Sequence, residues 1–224
     1  MDTSADPFAP LREQLVREQI AARGIRDGRV LAAMQSVSRH EFVPLDLRDH
    51  AYHDRALPIG WQQTISQPYT VAFMCAALEL TGVERVLEVG TGSGYCAAVL
   101  SHLCREVITV ERLSPLEESA RKRLARLGYS NVIVHHAAGG VLGWPAKGPY
   151  ERIVVAAGAE FLPSALTDQL AEGGRMIIPV RSAGPRQTQA MLSITRQGNR
   201  LLETNLGEFV FVPLITEEDQ SSAP

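Results

Sequence analysis

The sequence is poor in cysteine and contains no cysteine motif. Its three cysteines, Cys75, Cys96 and Cys104, are odd in number and form no CxxC pair. A disulfide framework needs an even set of cysteines in a secreted chain. The pattern therefore favours reduced thiols in a cytosolic protein over a disulfide-stabilised domain.

The sequence also lacks a basic excess and a long apolar run. Its net charge is −3 and its isoelectric point is about 6.1, which argues against a nucleic-acid-binding surface. No uninterrupted apolar run reaches the roughly 18 residues of a membrane-spanning helix, and the first ten residues do not resemble a signal peptide. We expect a soluble cytoplasmic protein that acts as a monomer, with no nucleic-acid or membrane partner.

Common catalytic and metal-binding motifs are missing as well. The chain has no GxSxG and no HExxH. His50 and His53 form an isolated HxxH without a third ligand at an obvious spacing, which is more typical of a solvated or structural pair. We therefore predict no metal site.

The chain does contain enough apolar material for one large core. With 224 residues and 45% hydrophobic content, a single α/β domain is the simplest expectation. We expect a flexible lead-in over 1–10, one domain over 11–216 and a flexible acidic tail over 217–224. Within the domain, residues 11–67 are expected to hold N-terminal helices and a polar loop facing the substrate, and residues 68–216 the sheet core.

The N-terminal part reads as two amphipathic helices. The first is predicted over 11–24, with Leu11, Leu15 and Ile20 near one face and Gly24 as its end. The second is predicted over 27–37, with Asp27 as its N-cap. A loop-rich segment over 40–67 and a helix over 69–80 follow.

Strand and helix patterns alternate after that. Strands are predicted over 85–89, 105–111, 131–136, 150–157 and 175–180, and helices over 114–128, capped by Ser114, and 163–174. The segment 189–214 reads as two strands joined by a QGN turn. This order predicts a doubly wound, mostly parallel seven-stranded sheet with an antiparallel C-terminal addition, and ligands bound outside the carboxyl ends of the strands.

Three glycines follow the first strand of that sheet, in the stretch VLEVGTGSGY. Their spacing, Gly90-x-Gly92-x-Gly94, differs from the GxGxxG of a dinucleotide fingerprint, and the bulky Tyr95 comes next. Glu88 stands two residues before the first glycine, where a carboxylate repels a pyrophosphate and attracts an ammonium group. The spacing therefore indicates a nucleotide-type loop for a ligand without phosphates.

Glu111 supplies the second part of this pattern. It ends the next predicted strand, 21 positions after Gly90, where an acidic side chain can accept hydrogen bonds from both hydroxyls of a ribose. A ligand with a ribose, an amino acid and no phosphate points to S-adenosylmethionine. The alternative is an ordinary turn in which Glu88 pairs with Arg85 or Arg105.

The absence of a catalytic base is compatible with one class of acceptor. A carboxylate, with a pKa near 4, is ionised at neutral pH and needs no base to attack a methyl group. The polar stretch QQTIS before the glycines carries Gln62, Gln63, Thr64 and Ser66, whose amides and hydroxyls can orient an anionic acceptor. The alternative is a capping loop in which Ser66 or Thr64 bonds helix N–H groups.

LPIG followed by QTISQPY and VLEVGTGSGY resembles the protein-L-isoaspartate O-methyltransferase family, and the resemblance covers most of the chain. It implies a class I S-adenosylmethionine-dependent methyltransferase acting on the α-carboxylate of L-isoaspartyl residues, whose methyl ester collapses to a succinimide. It implies Ser66 as the catalytic residue and a substrate-facing turn of Gln63, Thr64, Ile65 and Ser66. The implied cofactor-binding positions are Glu88, Gly90, Thr91, Gly92, Gly94, Glu111, Gly139 and Gly140.

Three positions depart from the family pattern. Ala138, Gly139 and Gly140 stand where the family has Gly-Asp-Gly, whose aspartate bonds the adenine amino group. Gln62 replaces a glycine and is expected to narrow the acceptor pocket, and Ala156 replaces a threonine. The departures keep two alternatives open: a methyltransferase for a different carboxylate, and a non-catalytic adaptor that binds the cofactor.

Overall fold

A computed structural model describes residues 6–137, 140–182 and 188–214 of the chain. The predicted tail over 217–224 and the first five residues of the predicted lead-in lie outside these ranges. The first helix already begins at Ala9, so the lead-in does not extend to residue 10 as expected.

A seven-stranded sheet forms the centre of the molecule, in the order β5-β4-β3-β6-β7-β8-β9. The first five strands of this order run parallel, and β8 and β9 are antiparallel additions. A separate hairpin pairs β1 with β2. This confirms the predicted fold class. The strand bounds are β1 Leu57–Gly60, β2 Gln63–Ile65, β3 Arg85–Val89, β4 Glu106–Glu111, β5 Val132–His136, β6 Tyr150–Val155, β7 Leu170–Arg181, β8 Gln189–Gln197 and β9 Arg200–Phe209.

Among the described residues, six α-helices and five shorter helical turns connect or precede these strands, and one of the turns is a 3₁₀ turn at Pro145–Lys147. Helix α1 continues through a π-helical turn, Leu15–Ile20, and a 3₁₀ turn, Ala21–Arg23. Two more 3₁₀ turns, Arg39–Phe42 and Leu45–His50, lie in the segment predicted as loops. The α-helices are α1 Ala9–Gln14, α2 Gly28–Ser36, α3 Pro68–Ala77, α4 Tyr95–Ser101, α5 Ser114–Arg126 and α6 Ser164–Thr167. No helix among the described residues is both long enough and apolar enough to cross a bilayer.

The ends of the N-terminal helices follow the sequence signals. Gly24, with φ of 102°, ends the first helical run in a left-handed conformation. Asp27 caps α2, because its side chain accepts hydrogen bonds from the N–H groups of Arg29 and Val30. Leu11 was expected to face inward, but 44% of it is exposed. The π-helical turn changes the helical period after Gln14, which shifts the buried face onto residues after Leu11.

The predicted helix over 163–174 is wrong beyond its first turn. Helix α6 ends at Thr167, and β7 begins at Leu170. The carbonyl of Gln169 accepts the N–H of Tyr150 from the neighbouring strand, at 2.8 Å, and its side-chain amide bonds Leu142 and Trp144. These long-range hydrogen bonds outweigh the local helical preference.

The expected Ser114 cap is also wrong. The N-cap of α5 is Leu113 and makes no side-chain capping bond. The Leu113 N–H instead donates to the carboxylate of Glu111 at 3.0 Å. The first helical N–H groups, those of Leu116 and Glu117, donate to the carbonyl of Leu113 at 2.9 and 3.0 Å.

The central strands β3, β4 and β6 are largely buried on both faces, which explains their continuous apolar runs. Because side chains alternate along a strand, Val86, Val107 and Val154 join the core beneath the N-terminal helices. Leu87, Ile108 and Ile153 point to the opposite face and pack with Leu166 and Leu170. The two cores fix the sheet rigidly, and its carboxyl edge is the platform for the site.

Candidate active site

A cavity of about 320 Å³ lies at the carboxyl ends of β3, β4 and β6. Strand β3 pairs with β4 on one side and with β6 on the other. The strand order therefore reverses at β3, which opens a crevice at its carboxyl end. Ligands bind in this crevice in doubly wound sheets. Three parts of the protein contribute to this wall. The first is the loop of residues 90–94, called the glycine loop, and the second is the pair of carboxylates at the ends of β3 and β4. The third is residues 63–66, called the acceptor wall.

The glycine loop is drawn tightly onto β4. The N–H groups of Gly90 and Thr91 both donate to the carbonyl of Val110, at 2.9 and 3.2 Å. Gly94, with φ of 86°, opens α4, and a Cβ there would lie 3.1 Å from a methyl carbon of Leu124. The absence of side chains at these glycines allows α5 to pack closely and leaves the backbone exposed to the cavity.

Glu88 is completely buried beneath this loop. One carboxylate oxygen, Oε2, accepts the hydroxyl of Thr109 at 2.6 Å, and the other, Oε1, has no hydrogen-bond partner among the described residues. Burial raises the pKa of Glu88 to about 7, although the Thr109 hydroxyl and Cys96 thiol favour its ionised form. Arg85 pairs with Glu106 at 2.8 Å instead, so the alternative pairing of Glu88 with Arg85 is wrong.

Glu111 links the glycine loop to the start of α5. Its Oε2 accepts the N–H of Gly92 at 2.9 Å, and its Oε1 accepts the N–H of Leu113 at 3.0 Å. A carboxylate oxygen carries two lone pairs, so both oxygens retain capacity for a second hydrogen bond. Glu111 lines the cavity, and its predicted contact with a ribose stays a prediction.

The acceptor wall is formed by a hairpin that the sequence did not predict. Residues Gln63, Thr64, Ile65 and Ser66 all line the same cavity as the glycine loop. Ser66 is half-buried, and within the described ranges its hydroxyl bonds no other group. The N–H of Tyr69 in the first turn of α3 donates to Asp54, and α3 has no other side-chain cap. The alternative interpretation of Ser66 or Thr64 as a helix cap is therefore wrong.

The three departures from the family pattern take different positions. Gln62, with φ of 57°, is exposed at the turn between β1 and β2, and the described cavity wall includes Gln63 but not Gln62. Gln62 therefore does not line the described cavity, and its expected effect of narrowing or redirecting the acceptor pocket stays a prediction. Ala156 lines the cavity beside Gly90. Gly140 also lines it, whereas Ala138 and Gly139 lie outside the described residues.

Several wall residues were not predicted from the sequence. Val212, Pro213 and Leu214 close one side, because the N–H of Gly158 donates to Val212 and the N–H of Leu214 donates to Gly158. No local signal in the stretch FVPL, residues 211–214, shows that it returns to the cavity.

Histidine positions are also clear only in three dimensions. His136 lines the cavity, and its buried Nδ1 has no partner in the part of the chain that the structure describes. The rings of His50 and His53 lie 5.2 Å apart. Within residues 6–137, 140–182 and 188–214, no group of three or more His, Cys, Asp or Glu side chains is arranged to hold a metal ion.

Comparison with known proteins places this geometry in a family. Residues 11–219 match the family model described as Protein-L-isoaspartate(D-aspartate) O-methyltransferase. A protein-L-isoaspartate O-methyltransferase of Synechococcus sp. is 49% identical over 216 residues, covering 95% of this chain and 88% of the relative. Protein-L-isoaspartate O-methyltransferase 2 of Marinobacter nauticus is 50% identical over 219 residues, covering 97% and 99%.

Solved structures show the same likeness. One protein-L-isoaspartate O-methyltransferase superposes with a TM-score of 0.78 at 30% identity; the match covers 91% of this chain and 65% of that one. The protein-L-isoaspartate O-methyltransferase of Plasmodium falciparum, solved with S-adenosyl-L-homocysteine, gives a TM-score of 0.73 at 27% identity, with 94% and 99% covered. The chain belongs to the protein-L-isoaspartate(D-aspartate) O-methyltransferase family.

Proposed function

We propose that this protein transfers a methyl group from S-adenosylmethionine to the free α-carboxylate of L-isoaspartyl residues in damaged proteins or peptides. Family membership supports the reaction. The observation that carries the proposal is the position of Ser66, whose hydroxyl has no partner among the described residues and which lines the same cavity as the glycine loop. The cavity thus has one wall for a donor and one for an acceptor.

The residues present fit the proposed donor. The buried Oε1 of Glu88 has no partner in the described chain, and an unpaired buried carboxylate is costly unless a cation meets it. The ammonium group of a methionine moiety is such a cation. Glu111 and the open backbone of the glycine loop suit a ribose. When bound, S-adenosylmethionine supplies an activated methyl group on a sulfonium.

The remaining chemistry is positional. We assign to the Ser66 hydroxyl a hydrogen bond to one oxygen of the acceptor carboxylate, which leaves the other oxygen free to attack. The acceptor is already ionised at neutral pH, so the wall needs no general base. Holding the two reacting groups in line supplies most of the acceleration. The backbone nitrogen of the following residue then attacks the ester carbonyl and expels methanol to form a succinimide, and water reopens the ring partly to normal aspartate, which begins repair.

The testing experiment compares two peptides that differ only in isoaspartate or normal aspartate at one position. We expect base-labile methyl label on the isoaspartyl peptide alone. Label on neither peptide, with binding of the cofactor confirmed by calorimetry, would contradict the proposal and favour a non-catalytic adaptor. Label on the ordinary aspartyl peptide alone would favour the second candidate.

The second candidate is a carboxyl methyltransferase for a different acceptor, such as an aspartate in a modified peptide or a small acid. Ala156 favours it, because this cavity-lining position carries a threonine in the family pattern and has lost a hydroxyl here. We further propose a single domain over 11–216, with parts 11–67 and 68–216, that works in the cytoplasm as a monomer without nucleic-acid or membrane partners. The net charge of −3 supports the lack of a nucleic-acid partner, and light scattering tests the monomer.

A further inference from the structure

Asp54 holds the chain immediately after Ser66. It precedes the β1–β2 hairpin, and only 9% of its side chain is exposed. Its Oδ1 accepts the N–H of Tyr69 at 2.9 Å, and its Oδ2 accepts the side-chain amide of Gln67 at 2.7 Å. The same amide also donates to the backbone carbonyl of Asp54 at 3.1 Å. Three hydrogen bonds therefore tie the residues after Ser66 to one aspartate.

The chain before Ser66 is tied in a different way. Ile65 pairs with Leu57, and Thr64 pairs with Pro58, across the β1–β2 hairpin. Ser66 thus lies between a paired strand and the residues that Asp54 holds. Because its own hydroxyl makes no bond in the described part of the chain, these two attachments determine where that hydroxyl stands.

One arginine bonds Asp54, and a second arginine bonds the backbone on either side of it. Arg23 donates to its Oδ2 at 2.6 Å and lies over the ring of Tyr69, 3.6 Å from its centroid. Arg39 is fully buried and donates to the carbonyl of Ala51 at 2.8 Å and that of Arg55 at 3.4 Å. The backbone on both sides of Asp54 is therefore anchored. Burying a guanidinium costs desolvation free energy, which is consistent with a need to fix the position of this segment.

We propose that Asp54 is a positioning residue for methyl transfer, which holds the Ser66 hydroxyl at the acceptor wall through Gln67 and Tyr69. The inference rests on the proposed function. Asp54 does not line the described cavity and touches neither reacting group, so it acts only through the chain around Ser66. A displacement of about 1 Å at a reacting centre can cost roughly 100-fold in rate. Asp54 makes no hydrogen bond to the glycine loop, Glu88 or Glu111 among the described residues.

The test compares Asp54→Ala with Asp27→Ala. Asp27 caps α2 through two N–H groups at 2.8 and 3.2 Å, so its loss removes the same kind of bond on another helix. We expect Asp54→Ala to lower kcat on the isoaspartyl peptide by about 10- to 100-fold, while affinity for S-adenosylhomocysteine stays within about twofold. Asp27→Ala is expected to change neither value. Asp54→Asn retains an acceptor for the Tyr69 N–H and is expected to recover part of kcat.

The outcomes separate the two proposals. If the parent chain labels the isoaspartyl peptide and Asp54→Ala has an unchanged kcat, the positioning role alone is overturned. An equal loss of kcat in Asp27→Ala, or a parallel loss of cofactor affinity in Asp54→Ala, would overturn it as well. If Asp54→Ala fails to fold, Gln67→Ala removes the two Gln67 bonds and is expected to lower kcat several-fold; no change would again overturn the role. A parent chain that labels neither peptide would overturn the proposed function, and the positioning role with it.

Discussion

The hydroxyl of Thr109 lies 2.6 Å from one carboxylate oxygen of Glu88, and that same hydroxyl lies 2.6 Å from the hydroxyl of Thr91. Two threonines thus connect the glycine loop to a buried carboxylate. The second oxygen of Glu88 has no partner among the described residues. Because burial raises the pKa of Glu88 to about 7, the carboxylate is partly protonated at neutral pH, and a cation bound beside its free oxygen would favour the ionised form.

Glu88→Gln is expected to stabilise the protein at alkaline pH. Because burial raises the pKa of Glu88 from 4.5 to about 7, the folded state binds a proton more tightly than the unfolded state does. The stability cost is therefore absent below pH 4.5, grows between 4.5 and 7, and is complete above 7. We expect a gain of about 1–3 kcal/mol at pH 8, measured by urea unfolding, and no gain near pH 4. Glu106→Gln, at a strand end paired with Arg85, serves as the control; an equal gain there would contradict the explanation.

Cofactor affinity is expected to depend on the same ionisation. As the pH falls through about 7, Glu88 takes up a proton and loses its attraction for an ammonium group. Calorimetry with S-adenosylhomocysteine between pH 6 and pH 8.5 is expected to show weaker binding at the acid end. Glu88→Gln should bind weakly at every pH; a parent-like pH profile in that variant would remove Glu88 from the role.

Glu111→Ala is expected to reduce cofactor affinity by roughly 10- to 100-fold, as for the loss of hydrogen bonds to a charged group. The variant loses the proposed ribose contact and also the bond that holds the Gly92 N–H. Glu203→Ala, on the exposed strand β9, is the control and should bind normally. Equal affinity in the two variants, by calorimetry, would leave Glu111 with no part in binding.

Ser66→Ala is expected to lower turnover on the isoaspartyl peptide without changing cofactor affinity or thermal stability. The hydroxyl makes no structural bond within the described chain, so its removal disturbs only the acceptor. The loss of one positioned hydrogen bond predicts a decrease of about tenfold in kcat. Unchanged turnover would show that Ser66 is only part of the wall.

Gly94→Ala is expected to destabilise the protein more than Gly128→Ala. Both glycines have left-handed backbones, with φ of 86° and 82°, so both substitutions carry a similar conformational penalty of about 1 kcal/mol. A Cβ at position 94 would also lie 3.1 Å from Leu124, whereas nothing lies within 4 Å at position 128. We expect an additional loss of about 1–2 kcal/mol from overpacking, measured by urea unfolding. An equal loss of unfolding free energy in the two variants would mean that α5 moves away from position 94 at no cost.

The local signals in the sequence predicted what depends on neighbouring residues. Asp27 and Gly24 act on groups within three residues of themselves, and the structure confirms both. The helix over 163–174 and the Ser114 cap failed for a different reason. In the first case a distant N–H, that of Tyr150, bonds the Gln169 carbonyl, and in the second the helix begins one residue earlier than expected, so that Leu113 and not Ser114 is the N-cap.

The sequence by itself determined the alternating order of strands and helices, the glycine spacing and the polar stretch QQTIS, because apolar periodicity and backbone freedom are local properties. The resemblance carried by those motifs led to the family. Only the tertiary structure showed that Glu88 is buried with a free oxygen, that Gln62 is exposed and does not line the described cavity, and that Asp54 holds the residues after Ser66. Burial and contacts between distant segments form only when the chain folds, and the residue spacing within one segment does not predict them.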